Sequence, residues 1–105
     1  MNTEAEVLEL LQTNLLELKS YICTFAAMNG HLETLKWARD RGCFWNAWTC
    51  SYAAHNGHLE ILKWARDHGC SWDEWTCASA AENGHLEILK WTKANGCACD
   101  DKYHQ

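Results

Sequence analysis

The hydrophobic residues in the middle of the chain follow the spacing of a helix that is packed on two sides. One apolar stripe comprises Leu59, Leu62 and Ala65, and a second stripe on the neighbouring flank includes Ile61 and Trp64. Residues three or four positions apart lie on the same face of an α-helix, and one stripe is enough for a helix at a surface. Two adjoining stripes therefore predict an interior helix with neighbours on both flanks.

The ends of this helix, which we name helix B, are marked by its polar and glycine residues. We expect it to begin at His58 and to end near His68, because Gly69 provides the left-handed residue that commonly follows a helix. Glu60 and Lys63 occupy the remaining face three residues apart, and this spacing favours a solvated ion pair.

A second helix, helix A, is predicted just before helix B. Asn46 is a preferred N-cap residue, and it precedes the stretch from Ala47 to about His55. Ala53-Ala54 is a small pair, so another helix can approach closely at this point. Asn56-Gly57 ends the helix, since both residues tolerate left-handed backbone. Helix A and helix B thus form a helix–turn–helix hairpin.

The sequence of this hairpin occurs three times. Copies of a segment that reads Asn-Gly-His-Leu-Glu begin at Asn29, Asn56 and Asn83, each 27 residues after the last. Other positions recur with the same period and form the columns Cys23/Cys50/Cys77, Cys43/Cys70/Cys97, Trp37/Trp64/Trp91 and His31/His58/His85. A fixed period of this size signals units that bury their apolar faces against their neighbours. We therefore predict an all-α solenoid of stacked helix–turn–helix hairpins.

The whole chain is expected to form a single repeat domain. The capping box Thr3 and Glu6 predicts an N-terminal capping helix. In the third copy Ser79, Glu82 and Thr92 are more polar than their counterparts, and we interpret them as a C-terminal cap with a polar outer face. The predicted divisions of the domain 1–105 are the capping helix and linker 1–20, repeat 1 at 21–47, repeat 2 at 48–74, repeat 3 at 75–101 and a tail at 102–105.

The segment Trp-Thr-Cys-Ser-Tyr-Ala-Ala-His-Asn-Gly-His-Leu-Glu-Ile-Leu-Lys, residues 48–63, resembles the ankyrin repeat. The resemblance recurs in all three copies and covers about Tyr21 to Asp101. In the second copy the matching residues are Ala53, Ala54, Gly57, His58, Leu59, Glu60, Lys63 and Gly69. The resemblance implies an α-helical solenoid that binds other proteins.

The chain departs from the ankyrin pattern in two respects. Trp-Thr-Cys-Ser stands where the family has Thr-Pro-Leu-His, and the repeat has 27 residues where the family has about 33. The missing residues fall between Gly69 and Trp75, where ankyrin repeats carry β-hairpin fingers. The resemblance therefore implies an ankyrin-like solenoid without fingers, similar to the Trp- and Cys-rich ankyrin repeats of large DNA viruses and some algae.

Charge and hydropathy exclude some classes of partner. The net charge is −5, whereas phosphate backbones are bound by basic surfaces, so no nucleic acid partner is expected. The sequence has no run of about 20 apolar residues, so no membrane span is expected. The acidic N-terminus lacks the pattern of a secretion signal, which predicts an intracellular, cytoplasmic protein. We also expect a monomer.

The seven cysteines are expected to be reduced thiols that fill the core. An odd number without a secretion signal argues against a disulfide framework, and cysteines one repeat apart are expected to lie too far apart to bridge. A structural zinc site needs four converging ligands, and the best candidate is Cys97-x-Cys99 with His104. We assign no metal and no cofactor, and a Cys/His metal-binding protein stays open as an alternative.

No residue is assigned a catalytic role, and a non-enzymatic protein is expected. The sequence contains no carboxylate pair, glycine-rich phosphate loop or Ser-His-Asp arrangement. The histidine column opens helix B, where a ring nitrogen can bond the backbone of the adjacent turn. A Cys–His dyad remains open, because such pairs meet in space and not in sequence.

The tryptophans are expected to divide into three groups. Trp37, Trp64 and Trp91 lie among the apolar stripes and are predicted to be core residues. Trp45 and Trp72 precede helix A and are predicted to cover the core between units. Trp48 and Trp75, at the start of helix A, are predicted to be partly exposed.

The expected binding face lies along helix A and the loop before it, where the residues differ between copies while the scaffold columns hold constant. The candidate partner-binding residues are Phe25, Met28, Phe44, Trp48, Tyr52, His55, Ser71, Asp73, Trp75, Ser79 and Glu82. These residues predict a non-catalytic protein–protein interaction module. The main alternative is a structural fragment or accessory segment of a longer repeat array, with no partner of its own.

Overall fold

Residues 19 and 21–99 are described by the computed structural model, and they form helices joined by short loops. The helices are α1 (residues 21–28), α2 (Leu32–Asp40), α3 (Ala47–His55), α4 (Leu59–Asp67), α5 (Glu74–Glu82) and α6 (Leu86–Ala94). Odd-numbered helices are the A helices and even-numbered helices the B helices of three repeats. No strand occurs in these ranges, so the all-α repeat fold is confirmed. The predicted N-terminal capping helix and the tail lie outside the described residues.

Two of the A helices begin at a side chain that caps the backbone. The Trp48 amide donates to Asn46 Oδ1 over 3.0 Å, and the Asn46 amide donates to Thr49 Oγ1 over 3.2 Å. The Trp75 amide donates to Asp73 Oδ1 over 3.0 Å. The predicted cap Asn46 is therefore confirmed and Asp73 caps the next helix A in the same way, because each satisfies a backbone donor that the first turn leaves open.

The turn between α3 and α4 depends on a single left-handed residue. Gly57 has a φ of +80°, whereas the preceding Asn56 has a φ of −101° and needs no glycine-like freedom. The turn closes when the His58 amide donates to the Ala53 carbonyl over 2.8 Å, which is the Schellman arrangement. His58 is consequently the residue before α4, and helix B starts one residue later than predicted.

The core runs through the middle of the stack. Leu35, Leu62 and Leu89 occupy one column and are 0%, 0% and 4% exposed. A buried leucine of this kind contributes about 1.5–3 kcal/mol relative to an exposed one. Next to them α3 and α5 pack side by side through small residues such as Ala53 and Ala80, as expected for stacked units.

The histidines that precede α4 and α6 link neighbouring repeats. His58 Nε2 lies 3.1 Å from the Met28 carbonyl, and His85 Nε2 lies 3.0 Å from the His55 carbonyl. Both carbonyls belong to the last residue of helix A in the preceding repeat. The prediction that these rings bond their own adjacent turn is therefore wrong, because the ring reaches across the gap between units.

The tryptophans of the loops pack on those of helix B. Trp45 meets Trp64 edge-on with ring centroids 5.7 Å apart, and Trp72 meets Trp91 in the same way at 5.6 Å. This confirms that the loop tryptophans cover the core. Trp37 has no such neighbour among the described residues and is 49% exposed, so its assignment to the core is wrong.

An arginine of helix B fixes each of the first two described loops. Arg39 Nη1 donates to the Cys43 carbonyl over 2.6 Å, and its guanidinium lies 4.2 Å from the centre of the Trp45 ring. Arg66 makes the equivalent pair of contacts one repeat later. These arginines are therefore structural, since a cation over an indole face stabilises the loop that carries it.

Thr92 is not part of a polar outer face. Its side chain is fully buried, and its hydroxyl donates to the Leu89 carbonyl over 2.8 Å. The interpretation as a surface cap is wrong for this residue, because a threonine in a helix can satisfy its hydroxyl within its own turn and stay in the core.

None of the described helices has the length and apolar content that crossing a membrane requires.

Gly30 and Gly42 provide a matched test of the histidine link. Their φ values are +76° and +78°, but a Cβ at Gly30 would lie 2.8 Å from His58 Cε1, while one at Gly42 meets nothing within 4 Å. We expect Gly42→Ala to lower the free energy of unfolding by about 1–2 kcal/mol through backbone strain alone. Gly30→Ala should lower it by about 1–3 kcal/mol more, because the histidine ring must move. Urea denaturation measures both, and equal losses would contradict the tight contact.

A second matched pair separates a bonded threonine from an unbonded one. Thr49 Oγ1 accepts from the Asn46 amide and lies 3.3 Å from Thr24 Oγ1, whereas the buried Thr76 Oγ1 has no partner among the described residues. We expect Thr49→Val to lower the free energy of unfolding by about 1–2 kcal/mol, and Thr76→Val to leave it unchanged or raise it. Chemical denaturation of both variants checks this, and the reverse order would refute it.

Candidate functional site

An open groove lies between α1, α3 and the loop that joins α2 to α3. We call it the aromatic groove; its volume is about 620 Å³ and it is lined by Tyr21, Thr24, Phe25, Met28, Phe44, Asn46, Trp48 and Tyr52. The four residues from α1 are spaced at i, i+3, i+4 and i+7, so they form one helical face. The α3 residues are four apart and face them.

The groove exposes an unusual amount of aromatic surface. Tyr21, Phe25, Phe44 and Trp48 are each more than half exposed, at 57%, 53%, 58% and 57%. Within each helix the rings contact one another: the centroids of Tyr21 and Phe25 are 6.2 Å apart, and those of Trp48 and Tyr52 are 6.0 Å apart. Exposed apolar residues are normally scattered singly over a protein surface. A contiguous apolar patch of this kind therefore marks an interaction site.

Part of the expected binding face lies in this groove. The expected residues that line it are Phe25, Met28, Phe44, Trp48 and Tyr52. Sequence reasoning missed Tyr21 and Thr24 as lining residues. A signal was available for Tyr21, which stands one repeat before Trp48 in the same column.

The other expected residues lie beyond the groove, on α5, on the loop before it and at the end of α3. His55, Ser71, Asp73, Trp75 and Glu82 are exposed there, and Trp75 is 55% exposed. His55 Nδ1 lies 3.0 Å from Asn83 Nδ2. Ser79 is half-buried, and its hydroxyl lies 3.2 Å from the hydroxyl of Ser51 in the neighbouring helix A. The expected set is therefore split between an apolar groove and a polar continuation.

The polar continuation is acidic. Asp73, Glu74 and Glu82 are exposed, and we call them the acidic end; the residues one repeat earlier in the same columns are Asn46, Ala47 and His55, none of which is acidic. The two ion pairs that the structure describes lie on helix B, Lys36–Glu33 at 3.6 Å and Lys63–Glu60 at 3.8 Å. The face thus changes from uncharged and aromatic to anionic along the stack.

Cys77 and Cys99 correct the expectation of seven reduced thiols. Their sulfurs form a disulfide, with Cα atoms 5.6 Å apart and a sequence separation of 22. The expectation failed because it considered cysteines in the same column, which stay apart, whereas Cys99 stands outside the columns in the loop that passes α5. The other five cysteines are free and buried, as predicted.

Three of the free thiols, Cys23, Cys50 and Cys97, are poor nucleophiles because their pKa values are raised, whereas the hydrogen bond with Cys50 lowers the pKa of Cys70. Burial raises the pKa of Cys23 from an ordinary value of 9.0 to about 11, and burial likewise raises the pKa of Cys97 to about 11. The pKa of Cys50 is raised by its hydrogen bond with Cys70 and by burial. Only the thiolate attacks, so these three thiols are inert near neutral pH. No hydrogen bond joins a thiol to an imidazole in the part of the chain that the structure describes.

The raised pKa of Cys23 predicts how stability depends on pH. An unfolded chain releases this proton near pH 9, whereas the folded chain keeps it until about pH 11. The free energy of unfolding should therefore fall as the pH rises through this window, since only the folded state holds the proton. Urea denaturation at several pH values between about 8 and 10 should give a steeper fall for the parent than for Cys23→Ala, and identical slopes would contradict the prediction.

Sequence comparison supports the architecture independently. The profile of a family described as ankyrin repeats in many copies matches residues 23–66 and again 50–91, so the two matches together span more than half of the chain. Searches of curated proteins and of solved structures give no match. Ankyrin repeats generally mediate protein–protein interaction and are typically not enzymes. With a matching profile, helical hairpins in tandem and an all-helical stack, the chain belongs to the ankyrin-repeat family.

Proposed function

We propose that this chain is a non-catalytic protein-binding module whose aromatic groove receives an apolar segment of a partner protein. The observation that supports this most directly is the cluster of Tyr21, Phe25, Phe44 and Trp48, each more than half exposed within one groove. Aromatic side chains are the commonest anchors of protein interfaces, because a rigid ring buries a large area at a small entropic cost. The general role of ankyrin repeats agrees with this proposal.

The charge along the face defines the partner more closely. The groove itself carries no formal charge, while Asp73, Glu74 and Glu82 stand in the next repeat on the same side. A partner segment with apolar or aromatic anchors followed by lysine or arginine would complement both parts. We therefore propose that anchors in the groove supply most of the affinity and that the acidic end sets the orientation and the rate of association.

A peptide-display library panned against the purified chain tests the proposal, because a random library offers the groove segments of every composition. We expect enriched peptides to combine large apolar residues with neighbouring basic residues. Trp48→Ala and Tyr52→Ala should each weaken the enriched peptides by about 10-fold or more, the loss expected when an interface anchor is truncated. Charge reversal at Glu82 should weaken them less and should reduce the salt dependence of binding.

Trp37→Ala is the matched control for these variants. Trp37 is 49% exposed, close to the 57% of Trp48, but it belongs to helix B and lies outside the groove. It should bind the peptides like the parent, and circular dichroism should show unchanged helix content in every variant. Equal losses in Trp37→Ala and Trp48→Ala, or no enriched peptide, would overturn the proposal. Dimerisation that Trp48→Ala abolishes would identify a second copy of the chain, and not a partner protein, as the occupant.

A further inference from the structure

The third repeat contains one cysteine more than each of the other two repeats. Each repeat has one cysteine in helix A and one in the loop after helix B, and these pairs are Cys23/Cys43, Cys50/Cys70 and Cys77/Cys97. Cys99 is additional, and it stands where the preceding copies have Trp45 and Trp72. The packing of the repeat accounts for the paired cysteines but not for Cys99.

Cys99 also replaces a contact that holds the earlier loops. In the first two repeats an arginine of helix B lies over the loop tryptophan, with 4.2 Å between Arg39 and the Trp45 ring. In the third repeat the corresponding residues are Lys93 and Cys99. The last loop is joined to α5 through the bond between Cys99 and Cys77.

The three sulfurs of this repeat lie together. The Sγ atoms of Cys77, Cys97 and Cys99 are all within 4.8 Å of one another. Cys77 is fully buried, Cys97 is 7% exposed and Cys99 is half-buried. Three sulfurs bound to one zinc ion at about 2.3 Å in a tetrahedral arrangement would lie about 3.8 Å apart. The three sulfurs can therefore reach one ion once the bond between Cys77 and Cys99 is broken and these two sulfurs separate.

We propose that Cys77, Cys97 and Cys99, once reduced, form a binding site for one thiophilic divalent cation such as Zn²⁺. Reduction by a dithiol breaks the Cys77–Cys99 bond, oxidises the dithiol to its own disulfide and transfers two electrons and two protons to the two cysteine sulfurs. Coordination then releases three protons from three thiols and gives an ion held by three thiolates, with one coordination position left for water or another ligand. Thiolates are the ligands that select zinc over harder cations.

The oxidised and the metal-bound forms exclude each other. A disulfide sulfur is no thiolate, so only Cys97 can act as a thiolate ligand while Cys77 and Cys99 are joined. The cysteine pairs of the first two repeats provide two ligands each, which is too few for a stable site. The site therefore belongs to the third repeat alone and forms only under reducing conditions. This inference is independent of the aromatic groove and of its partner.

Zinc binding by the full chain tests the proposal. The chain is reduced with a phosphine, because a dithiol would itself bind zinc, and is then titrated with Zn²⁺ in competition with a chromophoric chelator. We expect one zinc per reduced chain and none per oxidised chain. Cd²⁺ in place of Zn²⁺ should produce the ultraviolet charge-transfer band of cadmium bound to thiolates.

Cys99→Ala and Cys43→Ala form the matched pair of variants. Cys99→Ala should weaken zinc binding by about 100-fold or more, because two thiolates remain where three are needed. Cys43→Ala removes the equivalent of Cys97 in the first repeat and should bind zinc like the parent. Circular dichroism should show that the reduced parent and both variants stay helical.

Four results would overturn the proposal. These are no zinc on the reduced chain, equal binding by Cys99→Ala and the parent, equal losses in Cys99→Ala and Cys43→Ala, and loss of helix on reduction. The third result would indicate diffuse binding by core thiols, and the fourth would mean that no folded three-thiol site exists.

Discussion

The close approach of one helix A to the next is the contact on which the rest of this structure depends. It is possible because Ala53, Ala54 and Ala80 leave almost no side chain between the backbones, and because His58 and His85 bond to carbonyls of the neighbouring unit. No repeat has enough apolar surface to fold alone, so each is stabilised by burial against its neighbours. The aromatic groove is a product of the same contact, since α1 and α3 must lie side by side for their rings to share one surface.

Local signals in the sequence were sufficient to locate the helices. The bounds of α3 agree with the predicted Ala47–His55. Both ends are set by local signals, because the N-cap residue and the glycine after the helix each act on backbone only a few residues away. The predictions that failed depend on distances between units, and these distances cannot be deduced from a repeat period of 27 residues. The histidine rings reach the preceding unit, Trp37 lacks the neighbour that covers Trp64, and Thr92 satisfies its hydroxyl inside the core.

The same distinction explains which parts of the candidate site were foreseen. Phe25, Phe44 and Tyr52 were found because variable columns stand out against constant ones, and Trp48 because tryptophan at the start of helix A is a favoured anchor. Tyr21 was missed although it belongs to the column of Trp48. The disulfide was missed because a search for recurring positions passes over Cys99, which occurs once. In a repeat protein, the residues that break the repeat are the first place to look for chemistry that the scaffold does not explain.

The unequal size of the side chains on the two sides of each hairpin gives the units the form of a wedge. The A helices meet through alanine and serine, whereas the B helices carry leucine, isoleucine and tryptophan, and α3 and α5 accordingly approach more closely than α4 and α6. A stack of wedges curves towards its thin edge, so a bound segment would follow an arc and not a straight line. A ligand of the wrong curvature would then lose contact at both ends, even where its chemistry matched at the centre.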